Sequence, residues 1–167
     1  MRTISLLAID SRMAQVLAGG ATGFEARFGV RLGDSETLVR EVVQQTLAMV
    51  AAVPREVTWG GYLTVDADSA TVVGTCGFKS GPSTSGSVEI AYFTFPEFEG
   101  QGFATAMAEK LIALARASPA VQEIIAHTLP EPNASGRILT KAGMCWMGEV
   151  HDPADGRVWR WQYPPVP

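Results

Sequence analysis

The chain has 167 residues, of which 47% are hydrophobic and 18% are charged, and its formal net charge is −4. These values exclude an intrinsically disordered chain and fit one folded domain, residues 1–167, with a sizeable core. The net negative charge argues against a general nucleic-acid-binding protein.

The cysteines, histidines and apolar runs set further limits. Cys76 and Cys145 lie in apolar surroundings, so we expect buried free thiols and not a disulfide. The two Cys and two His do not cluster, so we expect no metal site. The apolar run 4–9 is too short for a signal peptide and no run reaches membrane-spanning length. We therefore expect a cytoplasmic protein that binds no membrane.

The amino-terminal part predicts one strand and two helices. Residues 4–9 are typical of a strand, and Ser11 can cap a helix over residues 12–18. Residues 24–30 are ambiguous. The turn that begins at Gly33 opens a longer helix, because the apolar residues that follow keep a helical period.

The remaining chain alternates strands and helices. The predicted strands cover residues 59–65, 71–78, 88–95, 121–128, 146–151 and 157–163, and the predicted helices cover residues 103–117 and 133–141. A Ser/Gly/Pro loop covers residues 79–86. The order β-α-α-β-β-β-α-β-α-β-β predicts a mixed α/β (α+β) fold.

A short glycine-rich turn joins a predicted strand to a predicted helix, with the sequence Glu99-Gly100-Gln101-Gly102-Phe103-Ala104-Thr105. Such a turn directs backbone N–H groups toward the positive end of the helix, which favours an anion. Gly100 and Gly102 allow the anion to approach the backbone closely. The turn therefore predicts a phosphorylated cofactor.

One cofactor class that such a turn can hold is a dinucleotide. The dinucleotide pattern requires a third glycine, but Thr105 occupies that position. Glu123 lies at a plausible distance for a ribose-binding acid, yet it precedes its strand and does not end it. No βαβ pattern comes before the turn, so these observations argue against a dinucleotide.

The turn resembles the pyrophosphate loop of the GNAT superfamily of acyl-CoA-dependent N-acyltransferases. A second block resembles the Asn-containing helix segment of the same family, Asn133-Ala134-Ser135-Gly136-Arg137-Ile138-Leu139-Thr140-Lys141-Ala142-Gly143-Met144. The segment 152–161 is similar to that of the branch that includes the ribosomal-protein-alanine N-acetyltransferases. The resemblance covers residues 59–163.

The resemblance implies a fold, a cofactor and a reaction. The fold is a central, mostly antiparallel, splayed sheet of about seven strands with about four flanking helices. The protein would move an acetyl group from acetyl-CoA to a primary amine, on a protein N-terminus or a small molecule, by direct attack. A homodimer through the last strands is expected. The cofactor-binding residues that the family pattern implies are Tyr92, Phe93, Thr94, Gly100, Gln101, Gly102, Phe103, Ala104, Thr105 and Asn133.

Two positions depart from the family pattern. Glu99 stands where the family has Gln or Arg, and a carboxylate there is unfavourable unless it points to solvent. Leu139 stands where many members carry the Tyr that protonates the leaving thiolate. Both departures also fit a second function, a non-catalytic protein that binds or senses acyl-CoA.

Two residues are candidates for the general base. Glu89 lies inside a predicted strand, where a carboxylate buried without a partner suits a base, and it matches a strand glutamate of some family members. His127 ends the next strand, and imidazole titrates near neutrality. The alternatives are a salt-bridged or edge-facing Glu89 and a His127 that makes only a structural hydrogen bond.

Overall fold

The structure is a computed structural model that describes residues 1–164. Within that range it contains five α-helices and seven strands. The helices are Ser11–Ala18 (α1), Ala21–Phe28 (α2), Glu36–Ala52 (α3), Phe103–Arg116 (α4) and Ala134–Lys141 (α5). The strands are Ile4–Ala8 (β1), Gly61–Asp66 (β2), Val72–Phe78 (β3), Ser87–Thr94 (β4), Glu123–Thr128 (β5), Cys145–Asp152 (β6) and Gly156–Gln162 (β7).

The strands form one sheet with the order β1-β2-β3-β4-β5-β7-β6. Neighbouring strands are antiparallel except β4 and β5, which are parallel and are connected through α4. The β4–β5 pairing involves only residues 87–89 and 123–125, although both strands continue beyond it. The prediction of a mostly antiparallel, splayed sheet of seven strands is confirmed.

Helices cover both faces of this sheet. Residues of α4 that recur every three or four positions are buried, among them Phe103, Met107 and Leu111, and they pack with Leu139 of α5 in one core cluster. On the other face, Phe24 and Val39 pack with residues of β1–β3 in a second cluster. None of the helices within residues 1–164 is both long and apolar enough to cross a membrane.

The structure assigns one ambiguous segment and corrects two local expectations. The ambiguous segment 24–30 contributes to α2, and Phe24 is fully buried and packs this helix against the core. Asp10, and not Ser11, caps α1, because its side chain accepts a hydrogen bond from the Met13 amide at 2.8 Å. Cys145 is exposed, while Cys76 is buried as expected.

The short helix α5 begins and ends at the predicted residues. The side chain of Asn133 caps it by accepting a hydrogen bond from the Gly136 amide at 3.0 Å. At the other end, Gly143 adopts a φ of +91°, and the amides of Gly143 and Met144 bond the carbonyls of Thr140 and Leu139. These caps place the first turn of α5 beside the carboxyl end of β4.

Candidate active site

The glycine-rich turn has the backbone geometry of an anion site. Gly100 and Gly102 adopt φ values of +72° and +89°, in the left-handed region that favours glycine. Gly102 is the residue that precedes α4, and no side chain of the described residues caps this helix. The first amide groups of α4 are therefore available to an external anion.

A groove of about 480 Å³ runs from the end of β4 past this turn to α5. It brings together eight of the ten residues expected to bind the cofactor, namely Tyr92, Phe93, Thr94, Gly100, Gly102, Phe103, Ala104 and Thr105. The hydroxyl of Thr94 is buried and has no hydrogen-bond partner within residues 1–164. Glu99 also lines the groove, and it is exposed to solvent.

Two expected cofactor residues do not line the groove. Gln101 turns away from it, because its amide donates to the Glu97 carbonyl and its side-chain oxygen accepts from Arg2. The side-chain oxygen of Asn133 is occupied by the cap of α5. The neighbours of Asn133, Ala134 and Ser135, contribute to the wall instead.

Two basic residues of the groove are absent from the sequence prediction. Arg137 and Lys141 both line it from α5. The two residues are four positions apart in the predicted helix that begins at Asn133, so both side chains lie on one helical face. This spacing could have identified them from the sequence. Because both are cations, they favour the same anionic ligand as the turn.

The two candidate bases lie in contact. Nδ1 of His127 is 3.0 Å from Oε1 of Glu89, and their side chains are 9% and 15% exposed. Glu89 is opposite Ile125 in the parallel pairing, so His127 lies two residues further along β5 on the same face of the sheet. Glu89 is not without a partner, and the two sequence candidates form one hydrogen-bonded unit.

Lys79 adds a cation to this pair. Its ammonium is 2.8 Å from Oε1 of Glu89 and 3.2 Å from Oδ2 of Asp155. Burial acts to lower the pKa of Lys79, but the hydrogen bonds and charges of Glu89 and Asp155 outweigh it and raise the pKa above its ordinary value. Lys79 therefore stays charged, and the acidic turn before β7 is tied to the candidate base.

A second cavity, of about 220 Å³, lies between α3 and strands β2–β4. Tyr92 and Phe93 line both this cavity and the groove, so these residues of β4 form a common wall. Lys79, which holds Glu89, lines the second cavity as well. Two ligands that fill the two spaces would therefore meet at β4, and Lys79 connects the cavity to Glu89.

The phenol of Tyr92 lies at this common wall. It donates a hydrogen bond to the Ser135 carbonyl at 3.4 Å, and burial raises the pKa of Tyr92 to about 12. Leu139 is fully buried in the core one helical turn beyond Ser135. The family resemblance predicts a Tyr at position 139, but Leu139 is apolar. Tyr92 contacts α5 from strand β4 instead.

The profile of the acetyltransferase (GNAT) domain matches residues 26–145. This chain belongs to the GNAT acetyltransferase family, and the predicted enzyme class, an acetyl-CoA-dependent N-acetyltransferase, is confirmed. No curated protein sequence gives a significant match.

Solved structures similar to this one are also acetyltransferases. RimL, a ribosomal L7/L12 alpha-N-protein acetyltransferase in complex with coenzyme A, has 15% identity over 96% of this chain and 93% of its own, with a TM-score of 0.64. Aminoglycoside acetyltransferase AAC(6')-Ib in complex with coenzyme A has 18% identity over 96% of this chain and 94% of its own, with a TM-score of 0.66. A chimera of spermidine N-acetyltransferase SpeG from Vibrio cholerae and hSSAT has 14% identity over 96% of this chain and 94% of its own, with a TM-score of 0.61. At identities this low, the structural similarity shows that the proteins share a fold and shows nothing about their acceptors.

Proposed function

We propose that this protein binds acetyl-CoA in the groove and transfers its acetyl group to a primary amine held in the cavity beside α3. The observation that carries the proposal is the common wall of Tyr92 and Phe93, together with Lys79, which lines the cavity and contacts Glu89 of the Glu89–His127 pair. One sheet runs from Ile4 to Gln162, which supports treating residues 1–167 as one domain.

The residues of the groove fit the chemistry of coenzyme A. The turn around Gly100 and Gly102 and the uncapped start of α4 suit the pyrophosphate, and Arg137 and Lys141 supply positive charge for phosphate groups. The part of β4 beyond the β4–β5 pairing suits an extended chain that carries amide groups, as pantetheine does. Gln101 and Asn133 then act indirectly, Gln101 by bracing the turn and Asn133 by positioning α5.

Bound acetyl-CoA supplies a thioester carbon that an amine attacks directly. The Glu89–His127 pair takes one proton from the ammonium of the acceptor, and the free amine then forms the amide bond as the carbon–sulfur bond breaks. The second proton of the nitrogen ends on the sulfur, so the products are the acetylated amine and coenzyme A. Tyr92 stays protonated because of its raised pKa, and it can donate a hydrogen bond to the developing thiolate.

The acceptor is an amine on a protein N-terminus or on a small molecule. Ribosomal protein, aminoglycoside and spermidine acetyltransferases all share this fold, so the fold is compatible with very different acceptors. The proposal also includes a cytoplasmic location and a homodimer that forms through β6 and β7. Both are expectations from the sequence.

Titration calorimetry with acetyl-CoA, with NADH as the control, tests the cofactor. We expect a dissociation constant of about 10 μM or below for acetyl-CoA, equivalent to roughly −7 kcal/mol, and no binding of NADH. Release of the coenzyme A thiol in the presence of an amine panel then tests the transfer. Tight binding with no thiol release across the panel would favour a protein that senses acyl-CoA.

A further inference from the structure

Small residues form the floor of the cavity beside α3. Gly61 pairs with Gly77, and Gly77 pairs with Ala91, so the three lie side by side across β2, β3 and β4. A side chain at Gly77 would clash with the backbone of Gly60, and one at Gly61 would meet Cγ2 of Thr46 at 2.8 Å. The close approach of α3 and the open space above Ala91 both depend on these small residues.

This floor leads to the candidate base. Glu89 precedes Ala91 by two residues on β4, so both side chains project from the same face of the sheet. The amide of Lys79 donates a hydrogen bond to the Glu89 carbonyl, which continues the pairing of β3 and β4 to this point. A molecule that lies along the floor therefore presents one end to the Glu89–His127 pair.

The walls of the cavity are mainly apolar, with Gln45, Thr46 and Thr75 as uncharged polar members, and its two cations are occupied. Val42, Met49 and Val50 of α3 face the floor, and no carboxylate of the described residues 1–164 lines the space. The guanidinium of Arg55 donates to the backbone carbonyls of Val53, Lys79 and Met49 at 2.7–3.2 Å.

Lys79, the other cation of the cavity, is paired with two carboxylates outside it. The cavity thus offers no free cation to an acid and no carboxylate to a second ammonium group.

We propose that the acceptor is a small primary amine whose body is apolar and uncharged, about the size of one aromatic ring on a short alkyl arm. This inference rests on the proposed function and specifies its substrate. An apolar cavity of roughly 150 Å³ holds benzene, so the 220 Å³ available here accommodates a ring and a short arm directed toward Lys79, the partner of Glu89. Polyamines and aminoglycosides are disfavoured because none of the described residues lining the cavity is a carboxylate that could pair with their further ammonium groups.

The experiment separates binding from catalysis. Calorimetry measures the binding of 2-phenylethylamine, spermidine and kanamycin to the protein saturated with coenzyme A, and thiol release from acetyl-CoA measures the transfer to each. Met49→Glu places a carboxylate in the wall at a residue that is 47% exposed, so the fold tolerates it. Ala48→Glu, at an exposed neighbouring position outside the cavity, is the matched control.

We expect 2-phenylethylamine to bind and to be acetylated with a KM at least about tenfold below those of spermidine and kanamycin. Met49→Glu should weaken 2-phenylethylamine binding at least about tenfold, because a carboxylate then faces the apolar body, whereas Ala48→Glu should change it less than about twofold.

Failure to bind 2-phenylethylamine, or transfer to spermidine or kanamycin in its place, overturns the inference and leaves the transferase proposal standing. Binding that Met49→Glu weakens, with no thiol released, supports the apolar pocket and removes the transfer reaction.

Discussion

The ammonium of Lys79 lies 2.8 Å from Oε1 of Glu89, the same carboxylate oxygen that faces Nδ1 of His127 at 3.0 Å. The ion pair with Lys79 holds this carboxylate in place against His127. Asp155, 3.2 Å from the same ammonium, fixes the position of Lys79 in turn. Lys79 is therefore a positioning residue for the Glu89–His127 pair.

Replacing Lys79 by Met tests this role. Without the ammonium, the Glu89 carboxylate loses the ion pair that fixes its position against His127, so kcat/KM should fall by about tenfold or more. Lys110→Met is the control, because Lys110 is exposed on α4 and lines neither the groove nor the cavity beside α3. An unchanged kcat/KM in Lys79→Met would show that Lys79 does not position the Glu89–His127 pair.

The Glu89–His127 contact predicts non-additive kinetics. Glu89→Gln and His127→Ala should each lower kcat by about 100-fold or more, the usual contribution of a general base. The double variant should lose little beyond the larger single effect, because the two side chains act as a unit.

The measurement for this pair is single-turnover acetyl transfer, with Glu149→Gln, an exposed surface carboxylate, as the control. If the losses in kcat of the two single variants multiplied in the double variant, Glu89 and His127 would act independently and not as a unit.

Gly102→Glu should abolish acetyl-CoA binding. At a φ of +89° any side chain is strained, and a carboxylate at the start of α4 repels a pyrophosphate. The matched control is Gly29→Glu, which has a φ of +66° and open space around it, and which lies at the end of α2.

Both glycine variants should lose about 1 kcal/mol of unfolding free energy from backbone strain. Only Gly102→Glu should lose affinity for acetyl-CoA in calorimetry. If the two variants bound acetyl-CoA equally well, the turn would not be part of the cofactor site.

The basic pair on α5 should contribute to cofactor affinity through charge. Arg137→Gln with Lys141→Gln should weaken coenzyme A binding roughly tenfold at low salt, and much less at high salt, where screening weakens the wild-type contact. Calorimetry at two salt concentrations measures this difference, with Lys110→Gln as the control. A loss of affinity that is independent of salt would indicate a change in the packing of α5.

Only one of the two cysteines should react with a thiol reagent in the native protein. Cys145 is exposed, whereas Cys76 is 3% exposed and burial raises its pKa to about 12, so almost no thiolate forms at pH 8. A disulfide-exchange titration should count one thiol before denaturation and two after it. Two native thiols would show that the core around Cys76 opens readily.

Local sequence signals predicted most of the secondary structure. The caps of α5, the start of α4 and the final hairpin follow from Asn133, Gly102 and Gly156, whose preferences act over a few residues. Helix α2 was ambiguous because its short segment has little amphipathic pattern, and the burial of Phe24 against distant residues stabilises it. Cys145 was predicted to be buried, but it lies on the edge strand β6, where one partner strand leaves it exposed.

The sequence by itself determined the class of this protein, because the glycine-rich turn and the block that begins at Asn133 are short, contiguous patterns. Only the tertiary structure decided how the site works. Glu89 and His127 are 38 residues apart and meet because β4 and β5 pair briefly and then separate. Lys79 joins them from the end of β3, and the cavity exists because α3 packs on a floor of small residues. Such contacts depend on the register of strands distant in the chain, which local patterns do not specify.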